Sequence, residues 1–165
     1  MTDLTPLMPA AGELIRLCTD RKLTIATAES CTGGLIAGAL TEIAGSSAVV
    51  DRGFITYSNA AKTAMLGVPA ALIDRVGAVS KEVALAMVVG ALAKSDADLA
   101  VAVTGIAGPG GGSAEKPVGL VHFAAMRRGG QAVHESHVFA NRDRSGVRHD
   151  TVANALTMLS RLAEG

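Results

Sequence analysis

The chain has 165 residues, 49% of them hydrophobic and 18% charged, which is the length of one domain with enough apolar side chains for a core. Fifteen basic residues balance fifteen acidic ones, and aromatic residues make up only 2% of the chain. Both features argue against a nucleic-acid-binding protein, because such proteins need a basic surface and, for single strands, rings on which bases stack.

The predicted elements alternate between helices and strands along the chain. Helical patterns cover residues 5–21, 35–44, 59–66, 69–76, 81–94 and 145–163, and strand patterns cover residues 23–28, 49–57, 99–104, 118–126 and 132–139. A Gly129-Gly130 turn joins the last two strands, so they should pair as an antiparallel hairpin. The pattern predicts a single α/β domain over residues 1–165, a three-layer α/β/α sandwich with a mixed, mostly parallel sheet.

The N-terminus lacks the charged and apolar regions of a signal peptide, and no apolar run approaches the length of a membrane span. We therefore expect a soluble, cytoplasmic protein with no membrane partner. The two cysteines form no CxxC pair. His134 and His137 should point to opposite faces of a strand, so the sequence predicts no metal site, and nothing in it indicates a cofactor.

Two strand exits are rich in glycine and hydroxyl side chains. After the first strand, either Ser30 or Thr32 caps the next helix, or the serine lies beside free amides that favour negative charge. Gly33 and Gly34 allow close approach of a ligand. After Thr104, residues 105–117 form either a phosphate cradle or a flexible connection, and they do not match a P-loop. If both strands are parallel, both exits open at the same edge of the sheet.

The last predicted helix carries two arginines on its inward face. Steps of four residues back from Val152 lead to Arg148 and then to Arg144, at the N-terminal end of the apolar stripe. Two cations beside free amides suit a bound phosphate or carboxylate. The alternative is an ion pair with an acidic residue, either Glu29, Asp143 or Asp150.

A serine nucleophile needs a base, and no histidine lies near Ser30 in the sequence. A neutral, desolvated Lys62, or Tyr57 held close to a lysine, could accept the proton instead. The alternatives are a solvated helix lysine and a tyrosine packed at the sheet edge.

Several motifs occur in one order along nearly the whole chain: TAESCTGG at residues 27–34, GSS at 45–47, GFITYSN at 53–59, AK at 61–62, GAVS at 77–80, TGIAGP at 104–109 and GG at 111–112. Together they resemble the CinA C-terminal domain family, here in a stand-alone form. Its enzymatic members are nicotinamide-nucleotide amidases. The resemblance implies a three-layer α/β/α fold, a homodimer, and hydrolysis of nicotinamide mononucleotide to nicotinate mononucleotide and ammonia.

The resemblance also implies roles for individual residues. Ser30 corresponds to the nucleophile, and Tyr57 and Lys62 to its activating pair. The substrate-binding residues would be Thr104, Gly105, Gly108 and Gly111 in the loop, with Arg144 and Arg148 at the start of the last helix. Many members have serine in place of Thr104. Many also have a Gly-Asp-Arg run where residues 141–144 read Asn-Arg-Asp-Arg, which leaves Arg142 and Arg144 both open as the phosphate ligand.

In an amidase, Ser30 would attack the carboxamide carbon while backbone amides in residues Cys31, Thr32, Gly33 and Gly34 stabilise the oxyanion. The competing interpretation is a non-catalytic nucleotide-binding or regulatory module linked to competence or the DNA-damage response. The intact set of Ser30, Tyr57 and Lys62 favours the amidase, because a protein that only binds a nucleotide has no need of it.

Overall fold

The computed structural model of the protein describes residues 1–165. The strands are β1 (Ile25–Glu29), β2 (Val50–Ile55), β3 (Leu99–Gly105), β4 (Leu120–Arg127) and β5 (Val133–Val138). The α-helices are α1 (Met8–Arg21), α2 (Leu35–Thr41), α3 (Asn59–Leu66), α4 (Ala70–Val76), α5 (Lys81–Ala93) and α6 (Arg144–Glu164). Every predicted element is present. The largest differences in length are in three elements that are shorter than predicted: α2 ends at Thr41 instead of Ala44, α1 begins at Met8 after a short 3-10 turn at Thr5–Leu7, and β2 covers only Val50–Ile55.

The five strands form one sheet in the order β2-β1-β3-β4-β5. Strand β1 pairs in parallel with both β2 and β3, whereas β3–β4 and β4–β5 are antiparallel. Only β4 therefore runs against the direction of the others. The prediction of a mixed, mostly parallel sheet with one hairpin is confirmed.

Helices cover both faces of the sheet and complete three layers. Helices α1, α2 and α6 pack together on one face, and α3, α4 and α5 on the other. Large and small side chains alternate along β3: Leu99 and Val101 face the first layer, whereas Ala100 and Ala102 face α5. This burial on both faces is typical of strands in a parallel sheet.

The caps of the helices on the α5 side follow the sequence. Ser58 Oγ accepts a hydrogen bond from the Ala61 amide at 3.0 Å, and Ser80 Oγ accepts one from Val83 at 3.3 Å. Gly67 ends α3 with a positive φ of 70°. Helix α3 is therefore fixed at both ends.

Helix α2 differs from the sequence-based expectation. It follows Gly34, which has no side chain to act as a cap, and neither Ser30 nor Thr32 caps it. The capping interpretation of these two residues is wrong. Among all the helices, none has both the length and the apolarity needed to cross a bilayer.

Candidate active site

The carboxyl ends of β1 and β3 meet at one edge of the sheet, as their parallel pairing requires. A cavity of about 300 Å³ opens there. Its walls come from both strand exits, from the loop before α5, from α3 and from the start of α6. The lining residues are Ser30, Cys31, Tyr57, Asn59, Lys62, Ala78, Val79, Thr104, Gly105, Ile106, Ala107, Gly108, Gly110, Gly111 and Arg144.

The structure brings Ser30 and Lys62 into direct contact. Lys62 Nζ lies 2.9 Å from Ser30 Oγ and donates a hydrogen bond to the carbonyl of Thr56 at 2.9 Å. Lys62 is only 1% exposed, and no acidic side chain forms a salt bridge with it. Burial lowers the pKa of the Lys62 amine below its ordinary value of 10.5. A lysine in this setting can be neutral and accept the proton of a hydroxyl group.

The helical spacing in α3 explains why Lys62 is buried. Lys62 and Leu66 lie four residues apart on the same face, and both are buried against the fold. Gly90 of α5 contacts the backbone of Leu66 so closely that a Cβ would not fit. The alternative interpretation of Lys62 as a solvated helix lysine is therefore wrong.

Tyr57 lies at the mouth of the cavity, and the residue is 60% exposed. Its hydroxyl oxygen accepts a hydrogen bond from Arg144 Nη2 at 2.9 Å, and Arg144 Nη1 donates to the Gly108 carbonyl at 2.9 Å. Arg144 thus links the tyrosine to the glycine-rich loop. In this arrangement Tyr57 has no hydrogen bond with Ser30 or Lys62.

The three arginines near the start of α6 have different positions. Only Arg144 lines the cavity. Arg148 Nη2 donates to the carbonyl of Thr32 at 2.9 Å, behind the cavity wall, and its buried Nε has no partner. Arg142 forms an ion pair with Asp150 at 2.8 Å. Neither Arg144 nor Arg148 pairs with an acidic residue, so the ion-pair alternative for them is wrong.

The last residue of β1, Glu29, is a carboxylate whose contacts the sequence did not reveal. Glu29 is fully buried, and its side chain accepts hydrogen bonds from the amides of Gly34, Ile36 and Ala37 and from two threonine hydroxyls. The Gly33 amide donates to the carbonyl of Ser30 at 3.1 Å. The glycine amides that we expected to stabilise an oxyanion are therefore engaged within the protein.

The two amides of the turn that remain without a protein acceptor are those of Cys31 and Thr32. Of the four residues predicted to bind substrate here, Cys31 lines the cavity, and Thr32, Gly33 and Gly34 do not. Burial raises the pKa of the Cys31 thiol to about 12, so this thiol stays protonated near neutral pH. Cys31 therefore contributes a backbone amide donor to the site, and its protonated thiol does not compete with Ser30 as a nucleophile.

The loop after β3 leaves several amides free. Those of Ala107, Gly108, Gly110 and Gly111 donate to no protein acceptor, and all four residues line the cavity. The Ile106 amide anchors the base of the loop on the Leu120 carbonyl at 2.9 Å. Unpaired amides on successive turns of a loop are suited to binding an anion.

Other contacts hold the wall opposite this loop. Thr104 Oγ1 donates to the Ala78 carbonyl at 2.9 Å, and Lys116 Nζ donates to the Val76 carbonyl at 2.7 Å. Asn59 and Val79 also line the cavity, although neither was predicted to be a site residue. Asn59 could have been suggested by its place directly after the cap of α3.

The histidines form no metal centre. His134 points toward His122, with Nδ1 of His122 and Nε2 of His134 3.0 Å apart, whereas His137 packs on the other face beside Phe139. The expected separation of His134 and His137 is confirmed. No group of three or more potential ligand side chains is present.

Comparison with known proteins identifies the family of the chain. The sequence model described as the CinA C-terminal domain matches residues 8–163. The chain belongs to the CinA C-terminal domain family. It is 46% identical over 159 residues to the nicotinamide-nucleotide amidohydrolase PncC of Escherichia coli K12, covering 96% of this chain and 95% of that protein.

Other members of the CinA C-terminal domain family are longer. The chain is 53% identical over 142 residues to a CinA-like protein of Mycolicibacterium vanbaalenii, covering 86% of this chain and 33% of that protein. It thus spans about a third of that relative's length. Among solved structures, the competence/damage inducible protein CihA from Agrobacterium tumefaciens superposes with a TM-score of 0.93 at 57% identity, covering 94% of each chain. The fold of the CinA C-terminal domain family is therefore present here.

Proposed function

We propose that the protein is an amidohydrolase that converts nicotinamide mononucleotide into nicotinate mononucleotide and ammonia. The observation that carries this proposal is the 2.9 Å contact between Ser30 Oγ and a buried Lys62 amine without an acidic partner. The Escherichia coli relative, which matches over nearly its whole length, is named a nicotinamide-nucleotide amidohydrolase.

In the proposed reaction, Ser30 Oγ attacks the carboxamide carbon while Lys62 Nζ accepts the hydroxyl proton. The backbone amide of Cys31, which has no protein acceptor and belongs to a cavity-lining residue, stabilises the oxyanion of the tetrahedral intermediate. Lys62 then gives its proton to the departing nitrogen, which leaves as ammonia, and an acyl ester remains on Ser30. A water molecule attacks this ester with Lys62 again as base, which releases the carboxylate and restores the serine.

The nucleotide phosphate would bind between Arg144 and the free amides of the loop after β3. Arg144 now donates to neutral oxygens of Tyr57 and Gly108. A phosphate would compete well for the same donors, since charge-assisted hydrogen bonds are roughly twice as strong as neutral ones. Because Tyr57 contacts Arg144 and not Lys62, we assign the proton transfer to Lys62 and a substrate-positioning role to Tyr57. Arg148 supports the serine turn through Thr32.

The experiment that tests the proposal is an ammonia-release assay with nicotinamide mononucleotide and chromatographic identification of the product. We expect nicotinate mononucleotide and ammonia in equal amounts, with and without a chelator, and loss of this activity in Ser30→Ala. A wild-type protein that releases no ammonia, or a Ser30→Ala variant with undiminished release, would overturn the proposal.

We also propose that the protein is a homodimer and that it is located in the cytoplasm. A homodimer would give a light-scattering mass of twice the 16.6 kDa of the chain. A cytoplasmic location would place the protein with its nucleotide substrate, and fractionation of cells followed by immunodetection tests it.

A further inference from the structure

Glu29 is a fully buried carboxylate directly before the proposed nucleophile. No basic side chain forms a salt bridge with it. Instead, its two oxygens accept five hydrogen bonds from neutral donors. The donors are Thr27 Oγ1 at 3.2 Å, Thr32 Oγ1 at 2.6 Å, and the amides of Gly34 at 3.0 Å, Ile36 at 3.0 Å and Ala37 at 2.9 Å. A buried charge requires such a complete set of partners.

Three of these donors are amides at the start of α2, where a helix normally needs a capping side chain. Gly34 at the cap position has a φ of 104° and offers none. Glu29 caps this helix from the end of the preceding strand, and its negative charge suits the positive end of the helix dipole. Glu29 precedes residues 30–34 in the chain, and its side chain accepts the amide at the end of this segment, so the contact closes the segment into a turn.

The backbone of Glu29 connects to the other half of the site. Its carbonyl accepts the Thr56 amide at 2.8 Å, and the Thr56 carbonyl accepts the Lys62 amine at 2.9 Å. On the other side, the Ser30 amide donates to the Val103 carbonyl at 3.1 Å. Lys62 is therefore connected to the backbone of Glu29 through Thr56, and Ser30 is the next residue after Glu29 in the chain.

We propose that Glu29 is a positioning residue for the reaction, an inference that rests on the proposed amidase function. Its carboxylate occupies the amides of Gly34, Ile36 and Ala37, and the amide of the cavity-lining Cys31 is left free to bind an oxyanion. The same contacts hold Ser30 Oγ against Lys62.

The test is Glu29→Gln, which keeps the size of the side chain but turns one acceptor into a donor that faces other donors. We expect kcat for nicotinamide mononucleotide to fall by about 10- to 100-fold, less than the full loss of an oxyanion donor, while KM changes by less than about threefold. Pyridine-3-boronic acid, which can form a tetrahedral adduct with Ser30, should bind at least about tenfold more weakly, whereas nicotinate mononucleotide should bind as before.

The matched control is Asp98→Asn. Asp98 Oδ2 accepts hydrogen bonds from the Thr24 amide at 2.8 Å and from its hydroxyl at 3.0 Å, at the opposite edge of the sheet. This variant should lose thermal stability but keep kcat and the boronic acid affinity. A purely structural Glu29 would behave in the same way. Equal kcat and equal boronic acid affinity in folded Glu29→Gln and wild-type protein would therefore overturn the proposal.

A fluorophosphonate that labels reactive serines separates this proposal from the amidase function. Fast labelling of Ser30 in the wild type and slow labelling in Glu29→Gln support the positioning role even if nicotinamide mononucleotide is not hydrolysed. If the wild type and Glu29→Gln hydrolyse nicotinamide mononucleotide at equal rates, the amidase function is supported and the positioning role of Glu29 is rejected. A wild type that neither hydrolyses the nucleotide nor labels overturns both. If Glu29→Gln does not fold, Thr32→Val removes the shortest of the five hydrogen bonds, and unchanged labelling of that variant rejects the proposal.

Discussion

The two strand exits that meet at the cavity use their backbone amides in opposite ways. After β1, Glu29 accepts the amides that open α2, and only those of Cys31 and Thr32 stay free. After β3, the amides of four cavity-lining residues have no protein acceptor. The amides of the first exit are mostly used within the protein, where they hold Ser30 Oγ in place. The amides of the second exit are free to bind a ligand. We therefore expect changes at the first exit to affect kcat and changes at the second to affect KM.

The largest effect should come from Lys62→Met, which removes the amine that contacts Ser30 Oγ at the first exit. We expect kcat to fall by about 10²–10⁴-fold, the usual contribution of a general base, with KM nearly unchanged. Steady-state kinetics of ammonia release measures both. Lys94→Met, at an exposed lysine after α5, is the control. A similar loss in both variants would contradict the role of Lys62.

Arg144→Ala tests the second exit. It removes the charged donor at the cavity mouth, and we expect KM to rise by about 10- to 100-fold, which corresponds to a hydrogen bond to a charged group of about 1.5–3 kcal/mol. Arg142→Ala breaks an exposed ion pair with Asp150 and should leave KM unchanged. A raised KM in Arg142→Ala together with an unchanged KM in Arg144→Ala would show that Arg142, and not Arg144, binds the phosphate.

The pH dependence follows from the burial of Lys62. Its amine must be neutral to act as base, so kcat/KM should rise with pH by up to about tenfold per unit until the lowered pKa of Lys62 is passed. The plateau should begin below pH 10.5. A rate profile from pH 5 to pH 10 checks this, and a fall in rate through that range would show that Lys62 acts in its charged form.

The two strand exits and several residues around the cavity could be predicted from the sequence. The apolar runs of β1 and β3 and the glycine-rich segments after them indicated two exits at one sheet edge. The bounds of α3 and α5 agree with the predicted ranges 59–66 and 81–94 to within one residue, because the serine caps before both helices and the glycine after α3 are local signals. The helical steps back from Val152 led to Arg144, which does line the cavity.

The contacts that cross between elements could not be derived from local patterns. Glu29 looked like any acidic residue at a strand end, because its amide donors at and after the N-cap of α2 lie five to eight residues ahead. The pairing of His122 with His134 depends on the register of β4 and β5. The contact of Tyr57 with Arg144 spans 87 residues. Long-range side-chain pairs of this kind require the fold itself.

A smaller effect should follow from Gly111→Ala in the loop after β3. Gly111 has a φ of 87°, in the left-handed region, and a Cβ there would find its nearest neighbour at 3.7 Å, so backbone strain dominates. The free loop can relax away from this strained conformation, and restoring it when the ligand binds costs about 1 kcal/mol, which would raise KM about fivefold. Gly45→Ala carries the same strain, at a φ of 86°, in a turn away from the cavity. It should lower the melting temperature without changing KM.

The last effect concerns stability and does not involve the rate of the reaction. Because the pKa of Lys62 is lower in the folded state than in the unfolded chain, the unfolded chain binds more protons between these two values. The free energy of unfolding should therefore rise with pH across that window, by at most about 1.4 kcal/mol per pH unit. Lys62→Met should lack this contribution. Urea unfolding of both proteins at a series of pH values measures the difference, and parallel curves would contradict the burial of a titrating amine.

The central claim is that Ser30 and Lys62 act as one unit, and a double-mutant cycle on kcat for nicotinamide mononucleotide tests it most directly. Ser30→Ala, Lys62→Met and the double variant should all be slow, and the double variant should be no slower than the slower single variant. Losses that multiply in the double variant would show that the hydroxyl and the amine act independently, and would contradict the account.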